Sequence, residues 1–308
     1  MTAEVASPER ELPALSHLQG SLIILFTGIG FSFGGLAFRS VDIGSWEYLF
    51  FRGLGMGGVA VFVLGVRYRG RLYDLTSRLE RGHLYAGLLL GMMNTLFIVS
   101  LSFASVAFVL ILQTVAPLTA AYFSWILLKE RPSSAVLIAT AVSVVGVAIM
   151  VGGSIADDLS PYGLIAAIIP IGFGLYTTLI RSATRIDAMV PLFVAGACLL
   201  LVGIAAVALQ GGFDASLRDA AIGTFAGSIL LAVPLAAFNI AQRVVPAPES
   251  ALLIMTEVVL APLWVWVFVG EEASATTLFG GAIILAAVVW VTVKRIPRKG
   301  RRPITTRG

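Results

Sequence analysis

The sequence has few charged residues for its size, and this scarcity excludes an ordinary soluble protein. Charged residues occupy 12% of the 308 positions and hydrophobic residues occupy 58%, whereas about 25% of a typical soluble domain is charged. With a mean hydropathy of +0.96, the chain has more apolar surface than one soluble core can hide from water. We therefore expect much of its surface to contact the hydrocarbon of a lipid bilayer.

Cysteine and histidine are nearly absent as well. The single cysteine, Cys198, lies within an apolar run, so the chain has no disulfide framework and no cluster of soft metal ligands. The only histidines, His17 and His83, lie near the ends of apolar runs, and no paired-acid motif accompanies them. These absences argue against a membrane-embedded enzyme, and we predict no enzymatic activity and no cofactor.

The net charge of +4 does not indicate a nucleic-acid partner, because most Lys and Arg residues lie in short clusters between apolar runs. No glycine-rich segment is followed by the Lys-Ser or Lys-Thr of a phosphate-binding loop. A self-contained ATP-driven pump is therefore not expected. The acidic residues Glu4, Glu9 and Glu11 give the N-terminal segment the wrong charge for a signal peptide, so we expect the first apolar run to remain in the mature protein.

Ten apolar runs are long enough to cross a membrane, since about 20 apolar residues span roughly 30 Å of hydrocarbon as a helix. The sequence thus predicts an all-α integral membrane protein of ten transmembrane helices. The runs are Gln19–Phe38, Ser45–Val66, Gly82–Leu101, Ser105–Leu128, Ser134–Gly152, Pro161–Ile180, Met189–Leu209, Ala220–Ala241, Pro248–Val269 and Thr276–Val293.

The distribution of Lys and Arg predicts the orientation. If the N-terminus is cytoplasmic, most of the 21 Lys and Arg residues fall in cytoplasmic segments, above all in the loop from Arg67 to Arg81 and in the C-terminal tail. Only Arg39 and Arg218 then fall outside, and Arg52 falls within a span. This asymmetry favours both termini in the cytoplasm.

A weak duplication relates the two halves of the chain. Ile29-Gly30-Phe31 matches Ile171-Gly172-Phe173 at a shift of 142 residues, and Glu130 matches Glu271 at a shift of 141. Because five helices per half is an odd number, the second half must be inverted in the membrane, as in many secondary transporters. The predicted parts are a cytoplasmic tail (1–18), two five-helix repeats (19–152 and 161–293) and a basic cytoplasmic tail (294–308).

Two segments resemble the signature of the EamA family within the drug/metabolite transporter (DMT) superfamily. They run from Thr114-Val-Ala-Pro117 to Leu127-Leu-Lys-Glu130-Arg-Pro132, and from Thr256-Glu257-Val-Val-Leu-Ala-Pro262 to Gly270-Glu271-Glu272. Val258 departs from the family pattern, which often has proline there. The resemblance implies two five-helix halves that form a basket of helices and move small solutes, commonly exporting amino acids or related metabolites.

Polar side chains inside the apolar runs are the candidates for solute binding or coupling, because such groups are costly in a membrane and usually face a cavity or a partner. The candidates are Arg52, Asn94, Gln113, Thr114, Tyr176 and Glu257. Two alternatives stay open: a structural ion pair between Arg52 and Glu257, and interhelical hydrogen bonds for the uncharged residues.

Glu130 and Glu271 lie at helix ends where water is available, and we interpret them as capping or packing residues at a turn. Four prolines lie inside apolar runs, where each removes a backbone hydrogen bond and either acts as a hinge or shapes the helix permanently. They are Pro117, Pro170, Pro234 and Pro262.

These features together favour a secondary transporter that exports amino acids or related metabolites by alternating access in the bacterial cytoplasmic (inner) membrane. Its expected partners are the lipid bilayer and a small-molecule substrate. A proton gradient, facilitated flow and exchange are the alternatives for coupling. A non-transporting membrane receptor or scaffold is the rival function, and a membrane-embedded enzyme is a further one.

We expect the loop from Arg67 to Arg81 to be cytoplasmic and Asp157 to be external. Single cysteines at positions 77 and 157, introduced as Ser77→Cys and Asp157→Cys in a Cys198→Ser background, should therefore label from opposite sides of the membrane. An impermeant thiol reagent applied to intact cells and to inverted vesicles measures this. Labelling of both positions from the outside would contradict the orientation.

Overall fold

A computed structural model of the protein describes residues 15–68, 81–104, 106–151, 165–182, 187–269 and 275–294. Every regular element among these residues is helical. Residues 1–14 and 295–308, most of the loop from Arg67 to Arg81, Asp157 and Glu271 lie outside the described residues. The predicted orientation of the chain therefore stays a prediction.

The helices follow the predicted apolar runs. In the described chain they are α1 (His17–Ser32), α2 (Gly34–Arg39), α3 (Ser45–Arg67), α4 (Arg81–Phe103), α5 (Val106–Gln113), α6 (Ala116–Phe123), α7 (Ser134–Val151), α8 (Ile168–Ser182), α9 (Val190–Gln210), α10 (Leu217–Phe225), α11 (Val233–Ala241), α12 (Ala247–Ile254), α13 (Thr256–Val269) and α14 (Ala275–Lys294). Two π-helical segments, Ser124–Leu128 and Ala226–Ala232, and one 3₁₀ turn, Ile165–Ala167, join them.

Seven helical stretches of the described residues are long and apolar enough to cross a membrane. They coincide with the first three predicted runs and with the sixth to the ninth. Three shorter apolar helices, Ala116–Leu128, Ser134–Ile149 and Leu278–Lys294, coincide with the other three runs. The helical membrane class is confirmed, and the count of ten spans stays a prediction.

Several spans are interrupted near their middle. The regular helix stops at Phe33, at Thr114–Val115 and at Met255, and it widens into the π-helical segment Ala226–Ala232. Prolines account for two of these irregularities, because proline has no N–H and its ring crowds the carbonyl four residues earlier. Pro117 follows the break at Thr114–Val115, and Pro234 follows the π-helical segment.

The break at Met255 forms without a proline next to it, since Val258 stands where the related segment has Pro117. It lies 141 residues after Thr114, the same shift that relates Glu130 to Glu271. Pro170, in contrast, lies in the first turn of α8, where a missing N–H costs little.

Helix packing pairs the two halves of the chain in a regular way. Helix α3 packs along α9, and α7 packs along α14. Helix α1 packs against α11 and α13 of the second half, whereas α8 packs against α4 and α6 of the first. Each contact has a counterpart when the first and second five predicted spans are exchanged, as expected for two related halves.

Two glycines allow the closest approach between the halves. A Cβ atom on Gly55 would press against the carbonyl oxygen of Thr224, and one on Gly227 would press against the carbonyl oxygen of Arg52. The π-helical segment Ala226–Ala232 therefore lies directly on the backbone of α3. This contact holds the part of α3 that carries Arg52.

Gly227→Ala should destabilise the protein, because a methyl group there collides with the backbone of α3 and overpacking costs about 1–3 kcal/mol. Gly58→Ala is the matched control, since a Cβ atom on Gly58 meets nothing within 4 Å. Thermal unfolding of the detergent-purified variants should show a lower midpoint for Gly227→Ala and no decrease for Gly58→Ala. Equal midpoints would show that the contact is not tight.

Candidate functional site

A cavity lies between the two halves of the helix bundle. Its volume is about 890 Å³, counting the part that is open to solvent. Most of its wall is apolar, with a small set of polar groups, which is the composition typical of small-molecule sites. The lining residues are Phe31, Gly34, Arg52, Leu90, Met93, Asn94, Phe97, Gln113, Ala116, Ile169, Phe173, Ala226, Leu230, Leu231, Leu235, Ile254, Met255, Glu257 and Val258.

The helix interruptions converge on this cavity. Phe31 and Gly34 flank the break at Phe33, and Gln113 and Ala116 flank the break at Thr114–Val115. Met255 itself and three residues of the π-helical segment also line it. Irregular backbone inside a membrane is tolerated where it borders protein or a cavity, and such discontinuous helices form the binding sites of many transporters.

Residues related by the predicted internal duplication line the same cavity. Phe31 and Phe173, at a shift of 142, both line it, and so do Ala116 and Glu257, at a shift of 141. The cavity is therefore built from corresponding positions of the two halves.

Arg52 is a buried cation in the cavity wall. It is 5% exposed, its Nη2 donates to Oδ1 of Asn94 at 3.2 Å, and its guanidinium lies 5.8 Å from the centre of the Phe97 ring. Within the described chain, Nε and Nη1 have no hydrogen-bond partner. No carboxylate among the described residues lies within ion-pair distance of it.

Glu257 is the acidic residue of the same cavity. It is 8% exposed and lies in the first turn of α13, where the free N–H groups of a helix favour negative charge. Arg52 and Glu257 interact electrostatically but form no ion pair in the described chain. The structural ion pair that the sequence left open as an alternative is not formed in this structure.

Asn94 and Gln113 complete the polar part of the wall. The Asn94 amide donates to the carbonyl of Leu90 at 2.9 Å, and its oxygen accepts from Arg52. Gln113 is half-buried at the end of α5, beside the interrupted backbone. The structure thus brings four of the six candidate residues to one cavity, and their roles remain proposals.

Two candidates lie elsewhere. Thr114 is 3% exposed in the turn between α5 and α6, and it is not among the lining residues of the cavity. Tyr176, which we expected in a pocket, is fully buried on α8, and its hydroxyl donates to Oδ1 of Asn239 at 2.8 Å. Asn239 in turn donates to the carbonyl of Ala188 at 3.1 Å. Tyr176 therefore joins helices instead of facing the cavity.

A second polar cluster lies at one end of the bundle. Nε and Nη2 of Arg181 donate to the two carboxylate oxygens of Glu130 at 2.8 and 3.0 Å, and Nη1 donates to the carbonyls of Gln242 and Val245 at 3.0 and 3.2 Å. We call this group the Arg181 clamp. It shows that the capping interpretation of Glu130 was incomplete, because its carboxylate binds across the two halves. Glu271 lies outside the described residues.

The clamp is separated from the cavity by closely packed small residues. Arg181 is eight residues beyond Phe173 on α8, which is roughly 12 Å along the helix. Between them, Ala116 and Ala120 of α6 pack against Ala247 and Ala251 of α12. Buried alanines therefore join α6 and α12 between the cavity and the clamp.

Sequence reasoning did not select Phe173 or Arg181, although a signal for both was present. Each is the second-half partner of a first-half residue at a shift of 142, Phe31 and Arg39 respectively. Phe97 and Met93 had no comparable signal, because apolar residues in an apolar helix look alike whether they face lipid or a cavity.

Comparison with known proteins gives a family for the first half and a fold for the chain. Residues 18–152 match the EamA-like transporter family. Comparison with curated proteins gives no match. Among solved structures, one described as "Crystal structure of protein" has a TM-score of 0.77 at 18% identity, covering 91% of this chain and 100% of its own. At that identity the likeness shows a shared fold and nothing about function.

The geometry predicts opposite effects for two polar residues. Gln113→Ala should change the apparent solute affinity and leave the thermal midpoint near the wild-type value, because its side chain borders the cavity. Tyr176→Phe should lower the midpoint by removing a buried hydrogen bond, worth roughly 0.6–1.5 kcal/mol, without changing affinity. Transport assays in vesicles measure the apparent affinity, and thermal unfolding measures the midpoint. A changed solute affinity in Tyr176→Phe would show that Tyr176 is a pocket residue after all.

Proposed function

We propose that this chain, whose residues 18–152 belong to the EamA-like transporter family, is a secondary transporter that exports amino acids or related small metabolites by alternating access. The observation that carries the proposal is the cavity between the halves, which is walled by interrupted helices and holds buried polar groups. The proposed site consists of Arg52, Asn94, Gln113 and Glu257.

The chemistry of the wall supports a small amphipathic solute. Phe31, Phe97 and Phe173 offer an apolar surface, and the polar groups are confined to a few positions. An amino acid with an apolar side chain has the matching division into a charged end and an apolar end. Purely polar solutes would leave most of this wall without favourable contacts.

The arrangement of the helices supports alternating access between two inverted repeats, residues 19–152 and 161–293. The helix contacts between the halves come in corresponding pairs, and the cavity lies between them. In this mechanism the two ends of the bundle open in turn around a central site. The Arg181 clamp and the alanine contacts beneath the cavity are the interactions that must separate when their end opens.

The charge asymmetry of the loops supports a bacterial cytoplasmic (inner) membrane, with the tails 1–18 and 294–308 on the cytoplasmic side. A proton gradient is the coupling that we favour, because Glu257 is a buried acid in the cavity wall. Facilitated flow and exchange are the alternatives.

A non-transporting receptor is the rival function. It would bind solute in the same cavity without moving it, and it has no need of two corresponding halves. A membrane-embedded enzyme is a weaker rival, since the polar groups among the described lining residues of the cavity include no nucleophile paired with a base. Movement of solute by purified protein separates these functions.

Purified protein in sealed vesicles should move radiolabelled leucine or phenylalanine when an outward or inward gradient is imposed. Protein-free vesicles are the control for leakage, and a panel of other small metabolites extends the search if neither amino acid is carried. Binding without any movement across the membrane would favour the receptor and contradict the proposal.

Glu257→Gln should abolish solute accumulation driven by a pH gradient while leaving solute exchange intact, because glutamine keeps the size of the side chain but cannot carry a proton. The measurement compares pH-driven accumulation with counterflow in the same vesicles. Full pH-driven accumulation in Glu257→Gln would exclude the coupling role. A double-mutant cycle with Arg52→Gln would then test whether Arg52 and Glu257 form an ion pair in another conformation of the transporter. If they do, replacing either residue alone should lower stability more than replacing both, because a single replacement leaves a buried charge without its partner.

A further inference from the structure

We propose that the cavity binds a solute carboxylate against Arg52, and that this binding draws a proton onto Glu257, so that binding of the solute anion and binding of a proton are linked. The inference rests on the proposed transport function and adds the chemical class of the solute and its linkage to the proton. It starts from the guanidinium of Arg52, which is buried in the cavity wall and has no contacting counter-charge.

Neutral groups are the contacts of this guanidinium in the described chain. Asn94 accepts one hydrogen bond from it, and the Phe97 ring lies beneath it. The Tyr48 hydroxyl, one turn earlier on α3, is buried beside the guanidinium and interacts with it. None of these groups cancels a positive charge, and a buried charge without a partner is costly. A carboxylate would cancel it and match the planar donors of arginine.

The apolar part of the cavity wall restricts the rest of the solute, beyond its carboxylate. Phe31, Leu90 and Met93 are typical of its apolar surface. A solute with charges along its body would place them without a partner against this apolar surface. The solute class that fits is therefore a monocarboxylate with an apolar body.

Glu257 connects this solute to a proton. Among the described lining residues, Arg52 and Glu257 are the charged ones, and Tyr48 is the further titratable group beside them. With both side chains charged, the cavity is neutral. Addition of a carboxylate then places two negative charges in one poorly solvated site, which disfavours the charged form of one of them. Protonation of Glu257 restores neutrality.

This linkage is reciprocal. If the carboxylate favours the protonated form of Glu257, protonation must favour carboxylate binding by the same factor. Acidification should therefore strengthen binding, and the anion and the proton together carry no net charge. An α-ammonium group on the solute would be tolerated but not required.

Four probes with one phenyl body isolate the group that is recognised: 3-phenylpropanoate, its amide, 3-phenylpropylamine and phenylalanine. Binding to the purified protein should be about tenfold or more tighter for 3-phenylpropanoate than for the amide, since a hydrogen bond to a charged group is worth more than a neutral one. Equal binding of the acid, amide and amine, or binding of phenylalanine without 3-phenylpropanoate, would overturn the proposal. Absence of binding by all four would do so too.

Two variants test Arg52. Arg52→Gln should remove the preference for the acid over the amide. Asn94→Asp should do the same while keeping the arginine, because it places a permanent carboxylate within hydrogen-bond distance of Nη2. It therefore decides the question if Arg52→Gln fails to fold. A preserved preference in folded Asn94→Asp protein would overturn the role of Arg52.

Calorimetry in buffers of different ionisation enthalpy counts the protons taken up on binding. The wild type should take up about one proton per 3-phenylpropanoate at a pH where Glu257 is charged, and Glu257→Gln should take up none. Unchanged uptake in the variant would overturn the linkage. Transport assays in vesicles separate failure of this inference from failure of the proposed transport function. If the protein carries other solutes without preferring the acid over the amide, only the inference fails. Binding without transport of any probe contradicts the transport function.

Discussion

The hydrocarbon of a membrane offers no hydrogen-bond partner to the peptide backbone, and the structure follows from this constraint. Every described regular element is a helix, since a helix satisfies its backbone internally. Interruptions are tolerable only where protein or a polar cavity borders them. The breaks at Phe33, Thr114–Val115 and Met255, together with the π-helical segment, all meet at one cavity. The cavity is therefore bordered by most of the irregular helix in the described residues.

Two arginines show how differently a cation can be held in this bundle. Arg181 uses four donor contacts, two to a carboxylate and two to carbonyls, and ties the halves together. Arg52 contacts Asn94 and an aromatic ring, and no carboxylate of the described residues lies within ion-pair distance. The first is satisfied by the fold. Arg52 is held in place by the close contact of Gly227 with the Arg52 backbone, so the packing that stabilises α3 also presents the guanidinium to the cavity.

Local features of the sequence were sufficient for the class of the protein and for part of the site. Length and apolar composition predicted membrane helices, because hydrocarbon thickness sets the length of a span. The cost of polar groups in a membrane singled out Arg52, Asn94, Gln113 and Glu257, and the structure places all four at one cavity. The duplication predicted corresponding halves, and Phe31 and Phe173 face that cavity as a matched pair.

The remaining features depended on the tertiary structure. In a helix of a soluble protein, the 3.6-residue periodicity of apolar residues shows which face is buried. Here both the lipid and the protein core are apolar, so this periodicity is weak. This is why Tyr176 could not be separated from Gln113 by sequence, and why Glu130 was assigned to a turn and not to Arg181. The break at Met255 also forms without a neighbouring proline. Composition and residue type thus determined the class and the candidate residues, whereas packing between distant helices decided which of those residues meet.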